Sequence, residues 1–219
     1  MIQANFRQHK VNLFEDDQYI TPYVLHTQQW DPWMEKYINV ATTKTPNGVI
    51  VDIGGHIGLN ALMFSDYAPV HTFEPMFFNV LNTNITTAKT KFPIITYDIG
   101  LSHTKCTRDI YIPDRGSHNT INYGSCSLTK PNTFSDCKTI DLNTLDSCVI
   151  NDSIVFIKID VEGHEYEVLN GAAKTIHKHK PMLCVEIWDI TTSQIPKLLA
   201  DTFGYSDIIK ECDENYIFL

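Results

Sequence analysis

Val49-Ile50-Val51-Asp52-Ile53-Gly54-Gly55-His56-Ile57-Gly58 begins as a short apolar run and breaks into glycines. A short run rich in β-branched residues reads as a strand covered on both faces. The glycines let the chain turn through positive φ and bring its backbone close to a ligand. The helix expected next offers unpaired N–H groups. Strand, glycine turn and helix make a cradle for a nucleotide or nucleoside. A dinucleotide fingerprint would need glycine two positions before Gly55, where Ile53 stands. The pattern is instead D-x-G-x-x-x-G, from Asp52 through Gly54 to Gly58. An acidic residue ahead of the turn would repel a pyrophosphate, but it suits the ammonium group of a methionine moiety.

Outward from this segment, further strands are expected at Val70–Phe73, Ile94–Tyr97, Ile154–Ile159 and Met182–Ile187. Helices are expected at about 58–67, 76–89, 164–178 and 192–202, the third with an apolar stripe of Val168, Leu169, Ala172 and Ile176. Trp30, Trp33, Met34, Tyr37 and Ile38 stand at helical spacing ahead of the first strong strand. The alternation predicts an α/β fold with parallel strands and right-handed helical crossovers. Between 103 and 140 the rhythm breaks into Ser, Thr, Asn and Gly, which predicts hairpins or long loops of the kind that carry substrate contacts. Ser117, His118 and Asn119 are candidates there for hydrogen bonds to a sugar.

The chain has 219 residues, 43% of them hydrophobic, enough to bury a core as one domain. A net charge of -9 argues against a general nucleic-acid binder. No apolar run is long enough to span a membrane, and Met1 to Asp17 lack the apolar core of a signal peptide, so a soluble, cytoplasmic protein is expected. The six cysteines show no C-x-x-C pair, which points to reduced thiols rather than a zinc site or a disulfide framework.

Glu74 closes the second strand in Thr72-Phe73-Glu74-Pro75, where a carboxylate can accept ribose hydroxyl hydrogens. Asp52, the glycines and Glu74 together resemble the class I S-adenosylmethionine-dependent methyltransferases. The resemblance narrows at Lys158-Ile159-Asp160-Val161-Glu162-Gly163-His164-Glu165-Tyr166-Glu167-Val168-Leu169-Asn170-Gly171-Ala172, which is similar to the K-x-D-V-E-G-x-E-x-x-V-L-x-G-A signature of the FkbM family. His56 stands where that family usually has Asn.

The resemblance implies a three-layer Rossmann-like fold, a mostly parallel seven-stranded sheet with helices on both faces. It also implies a single methyltransferase domain: an N-terminal helical cap (1–45), a cofactor-binding core (46–190), and a C-terminal helix with closing strands (191–219). Asp52, Gly54, Gly55, His56 and Gly58 would hold the methionine end of S-adenosylmethionine, Glu74 the ribose, and the segment Asp98-Ile99-Gly100-Leu101 would pass the adenine. The implied reaction is O-methylation of a sugar or glycan, with glycosyltransferase domains as fused or associated partners.

Methyl transfer to an alcohol needs alignment and removal of a proton, by a general base, a metal ion or both. Asp160 and Glu186 end neighbouring strands, where open α/β sheets bind ligands, so they are the first candidates as base or as ligands of a divalent cation. His164 is a further candidate base, and Glu162 is near enough to contribute. Each also fits a plainer role in starting the next helix. Trp188 could stack on a sugar face or cover the core, and the Trp30–Tyr37 helix could close over the cofactor or simply pack. Glu35 is either directed to the site or solvated.

Competing readings are methyl transfer to a lipid, phenol or protein, and a non-catalytic nucleoside-binding module. A nicotinamide-dependent oxidoreductase is disfavoured by the missing glycine. A nucleic-acid methyltransferase is disfavoured by charge and by the lack of an N-P-P-Y or D-P-P-Y tetrapeptide after the fourth strand, where Asp160-Val161-Glu162-Gly163 stands.

Overall fold

A computed structural model describes residues 1–116, 119–212 and 214–219. The chain opens with a hairpin, β1 (Ile2–Phe6) and β2 (His9–Leu13), then α1 (Ile20–Thr27), a 3-10 turn at Pro32–Met34 and α2 (Glu35–Lys44). The central alternation follows: β3 (Val49–Ile53), α3 (Leu59–Phe64), β4 (Val70–Phe73), α4 (Phe78–Thr87) and β5 (Ile94–Tyr97). A small insertion holds β6 (Gly100–Leu101), β7 (Cys106–Ile112) and β8 (Asp136–Asn143). The chain then runs through β9 (Ile154–Ile159), α5 (Glu165–Gly171), α6 (Ala173–His179), β10 (Met182–Glu186), α7 (Ile195–Phe203), β11 (Ile208–Lys210) and β12 (Asn215–Phe218).

The main sheet has seven strands in the order β11-β12-β10-β9-β3-β4-β5. β12 is antiparallel to both of its neighbours, and the remaining pairs run parallel. This is the expected Rossmann-like class I architecture. Side chains alternate across the sheet. Ile50, Val70, Phe156, Cys184 and Ile217 join one core with α1 to α4 and the hairpin, while Val51, Ile53, Ile157, Ile159 and Val185 join the other with α5 to α7. Both faces are thereby covered, which is why these strands read as continuous apolar runs.

Three elements depart from expectation. The N-terminal region is not wholly helical, because alternation of Ile2, Ala4 and Phe6 with polar residues makes a strand whose Ala4 and Phe6 are buried. The helix expected from Trp30 starts later: Pro32 opens a 3-10 turn, and α2 proper begins at Glu35. The helix expected over 164–178 divides at Gly171 and Ala172. A Cβ on Gly171 would lie 1.9 Å from the carbonyl oxygen of Ser102, so the strand-end loop after β6 packs directly on the helix backbone there. The region 103–140 does form a hairpin, β7 with β8, with Ser117 and His118 lying outside the described residues.

Candidate active site

At the C-terminal edge of the main sheet lies a cleft of about 510 Å³, within the ~300–1,000 Å³ usual for small-molecule sites. Its floor is the turn after β3. Gly54 has φ 84°, and a Cβ there would lie 1.8 Å from the carbonyl oxygen of Asp160, so only glycine lets the ends of β3 and β9 meet. A Cβ on Gly55 would lie 2.2 Å from Thr72 Oγ1. His56 follows with φ 48° and lines the cleft. Histidine, like asparagine, is enriched among left-handed residues, so it suits this position of the turn. Burial lowers its pKa to about 4, so the ring is neutral, and it meets Phe77 edge-on at 5.0 Å.

The pleat decides which polar side chains gather here. Asp52, Lys158 and Glu186 each follow by two residues a side chain of the α1–α4 face, namely Ile50, Phe156 and Cys184. They therefore project to that same face at adjacent strand ends. Lys158 Nζ lies 3.0 Å from Asp160 Oδ2, 3.5 Å from the carbonyl oxygen of Gly54 and 3.9 Å from Asp52 Oδ1. Burial opposes the charge of Lys158, but Asp160 and Asp52 outweigh it and hold the ammonium above the usual lysine range. Asp52 is fully buried, accepts from Thr72 Oγ1 at 3.0 Å, and stands behind the glycine turn rather than among the residues lining the cleft. Gly58 also lies outside the lining, with φ 89° at the start of α3.

Glu74 lines the cleft. Its Oε2 accepts from His56 N at 2.8 Å, and its Oε1 from Met76 N at 2.6 Å and Phe77 N at 2.9 Å. Of roughly four acceptor positions on a carboxylate, one remains, so Glu74 has room for one ribose hydroxyl hydrogen rather than two. Burial raises its pKa to about 7 despite those three donors. Beyond it the small sheet, in the order β6-β8-β7, forms an apolar wall of Gly100, Leu101, Ile110, Ile140 and Leu142 with Met76 and Leu128. A flat aromatic base fits such a slot. Asp98 is exposed and outside the lining, so the structure does not bring it together with the others.

At the opposite end, carboxylate oxygens of Asp160, Glu162 and Glu186 all lie within 4.8 Å of one another. Burial and the charges of Asp160 and Glu186 push Glu162 up to about 9. Burial, then Asp160, also raises Glu186, against the hydrogen bond from Trp188 Nε1 at 3.0 Å. Mutual repulsion at this distance favours a shared proton or a cation. His164 lines the cleft but stands apart from this group: its ring meets Ser102 Oγ at 2.9 Å and Glu167 Oε2 at 3.6 Å. Burial lowers its pKa, with Glu167, Arg108 and His103 as the charges acting on it.

Trp30 lines the cleft, whereas Trp33 and Tyr37 pack on the core. Glu35 is not in the cleft; it pairs with Arg7 at 2.8 Å and accepts from Tyr67 Oη. Asn119 is likewise elsewhere, its carbonyl accepting from Arg115 at 2.7 Å. Sequence reasoning missed Lys158, Asp31 and Asn60, all in the lining. Lys158 was visible as a lone cation inside an apolar strand, a position tolerated only with a buried partner.

Comparison with known proteins identifies the family. The family model described as the methyltransferase FkbM domain matches residues 52–214. Among solved structures, a methyltransferase FkbM from Methylobacillus flagellatus KT is similar with a TM-score of 0.55 and 19% identity, over 79% of this chain and 44% of that one. This chain thus spans less than half of that protein's length. A precorrin-6y C5,15-methyltransferase from Geobacter metallireducens GS-15 aligns at a TM-score of 0.41 and 10% identity, over 87% of this chain and 90% of that one. No curated protein matches the sequence. The family match spans the glycine turn, Glu74 and the carboxylate group alike, and the chain belongs to the FkbM methyltransferases, transferases whose family chemistry implies S-adenosylmethionine.

Proposed function

We propose that the protein is an S-adenosylmethionine-dependent O-methyltransferase acting on a hydroxyl of a sugar or glycan. The observation that carries this reading is the convergence of Asp160, Glu162 and Glu186 at the end of the cleft opposite the apolar slot. The cofactor supplies an electrophilic methyl group on a sulfonium. The chain's residues have to hold it, align an acceptor oxygen behind the methyl and take the acceptor's proton.

In this reading the turn from Gly54 to Gly58, with His56, cradles the methionine end and Asp52 braces it from behind through Thr72 and Lys158. Glu74 accepts a ribose hydroxyl, and Gly100 lets the apolar wall close on adenine. Lys158 pairs with Asp160 at 3.0 Å and fixes its position. Glu186 or Glu162, whose pKa is raised, is the stronger base once ionised, and in that carboxylate form receives the proton; the same three carboxylates are a donor set for a hard divalent cation that would orient two vicinal hydroxyls. His164 is a secondary base at most, since its ring serves Ser102. A sugar is supported by the rim, where Glu214 and Asn215 stand in the lining and Trp188, 61% exposed, is hydrogen-bonded to Glu186. An aromatic face beside hydrogen-bonding groups suits a pyranose. The cap, core and closing strands act as one domain in the cytoplasm, and a glycosyltransferase is the natural source of the acceptor. The described residues include no helix long and apolar enough to cross a membrane.

Incubation with S-adenosylmethionine and a panel of glycosides, read by mass spectrometry, tests this. Transfer to a free hydroxyl is expected, with Glu186→Gln lowering kcat about 10²–10⁴-fold at unchanged cofactor affinity. Transfer to phenols or peptides but not to glycosides would refute the sugar assignment. A rate abolished by chelator and restored by magnesium would select the cation over the free base.

A further inference from the structure

The sequence offers Asp52 as the carboxylate for the cofactor's ammonium group, but Asp52 is 0% exposed, tied to Thr72, and outside the cleft lining. A primary ammonium presented at the glycine turn needs acceptors elsewhere. Two side chains that the family signature does not include stand there. Asp31 comes from the N-terminal cap, ahead of the residues that the family model matches, and it lines the cleft between Trp30 and the 3-10 turn. Its Oδ1 accepts from Trp33 Nε1 at 3.2 Å and its Oδ2 from Asn60 Nδ2 at 3.2 Å, so each oxygen keeps acceptor capacity. The contact with Asp31 fixes the amide orientation of Asn60 and turns Asn60 Oδ1 away. That oxygen is buried with no hydrogen-bond partner among the described residues, on a side chain 7% exposed in the cleft lining.

An orphaned acceptor beside a desolvated carboxylate is costly unless a donor with positive charge completes it. Lys158 does not fill the role, since its Nζ is engaged by Asp160 and the carbonyl oxygen of Gly54. Burial, only partly offset by Lys158, holds the carboxyl of Asp31 above the usual range, as expected of a group awaiting a cation.

We propose that Asp31 and the Oδ1 of Asn60 form the receptor for the α-ammonium group of the cofactor's methionine moiety, so that the N-terminal cap is part of the cofactor site. The inference rests on the S-adenosylmethionine reading above. It makes Asp31 and Asn60 binding residues, and Asp52 a brace.

Calorimetric titration with three ligands tests it: S-adenosylhomocysteine, its deamino analogue, which lacks only the ammonium, and methylthioadenosine, which lacks the whole amino-acid tail. Asp31→Asn should weaken S-adenosylhomocysteine about 10- to 100-fold, the loss of a charge-assisted hydrogen bond, and leave the other two unchanged. Retained methylthioadenosine binding shows that the variant is folded. Asn60→Ser should give the same discrimination with a smaller factor, and it decides the matter if Asp31→Asn does not fold. Equal weakening of S-adenosylhomocysteine and its deamino analogue, or no weakening of either, overturns the proposal. Failure of the unmodified protein to bind any of the three would instead overturn the cofactor reading on which it rests.

Discussion

His56 carries two costs at once, a φ of 48° and an imidazole whose Nε2 has no partner among the described residues. Its pKa falls from the ordinary 6.5 to about 4 through burial, with Asp160 opposing and Lys158 adding to the shift. In the unfolded chain the ring takes up a proton below 6.5; in the folded chain it does so only below about 4. Between those values the unfolded state binds more protons, so this stability is complete above pH 6.5 and lost as pH falls toward 4. Urea unfolding free energies measured across that window should show His56→Asn with a flatter decline than the parent, by about 3 kcal/mol at the acid end. An unchanged profile would mean that the ring is solvated. The sequence shows His56 and its glycine neighbours plainly, because left-handed turns select few residue types. It does not show that Asp52 lies behind the turn, since direction along a pleat depends on which face the helices cover.

The turn between β3 and α3 and the cap at the end of α7 both use glycine at positive φ, for different reasons. Gly204, at φ 73°, has no atom within 4 Å of where a Cβ would stand, so Gly204→Ala should cost about 1 kcal/mol of backbone strain. Gly54→Ala adds a collision with the backbone of Asp160, and a loss above about 3 kcal/mol is expected, together with loss of cofactor binding. Thermal unfolding of the two variants side by side checks this; equal losses would show that β9 can yield. Strands β3, β4, β9 and β10 were legible because each is buried on both faces, and the edge strand β5 was legible from its short β-branched run Ile94-Ile95-Thr96. The β1–β2 hairpin was legible in principle from Ile2, Ala4 and Phe6, but its alternation is short and easily lost beside a stronger helical signal.

Across the whole molecule, Phe6, Leu13, Val24, Met34 and Ile38 are fully buried in the core that also holds Ile50 and Phe156. The cap should therefore unfold with the sheet. In a Trp188→Phe background, fluorescence reports Trp30 and Trp33 alone, and its urea transition should coincide with that of far-ultraviolet circular dichroism. Separate transitions would make the cap an independent unit. The order of apolar strands and amphipathic helices, the glycine turn and the K-x-D-V-E-G run are local features of the chain, and they were enough to identify the architecture and the methyltransferase family. The meeting of Glu186 with Asp160 and Glu162, the approach of Lys158 to Asp52 and the entry of Asp31 into the cleft join residues far apart in the chain. No local propensity encodes such contacts; they exist because parallel strands align their carboxyl ends and because the cap packs on the face where those side chains emerge.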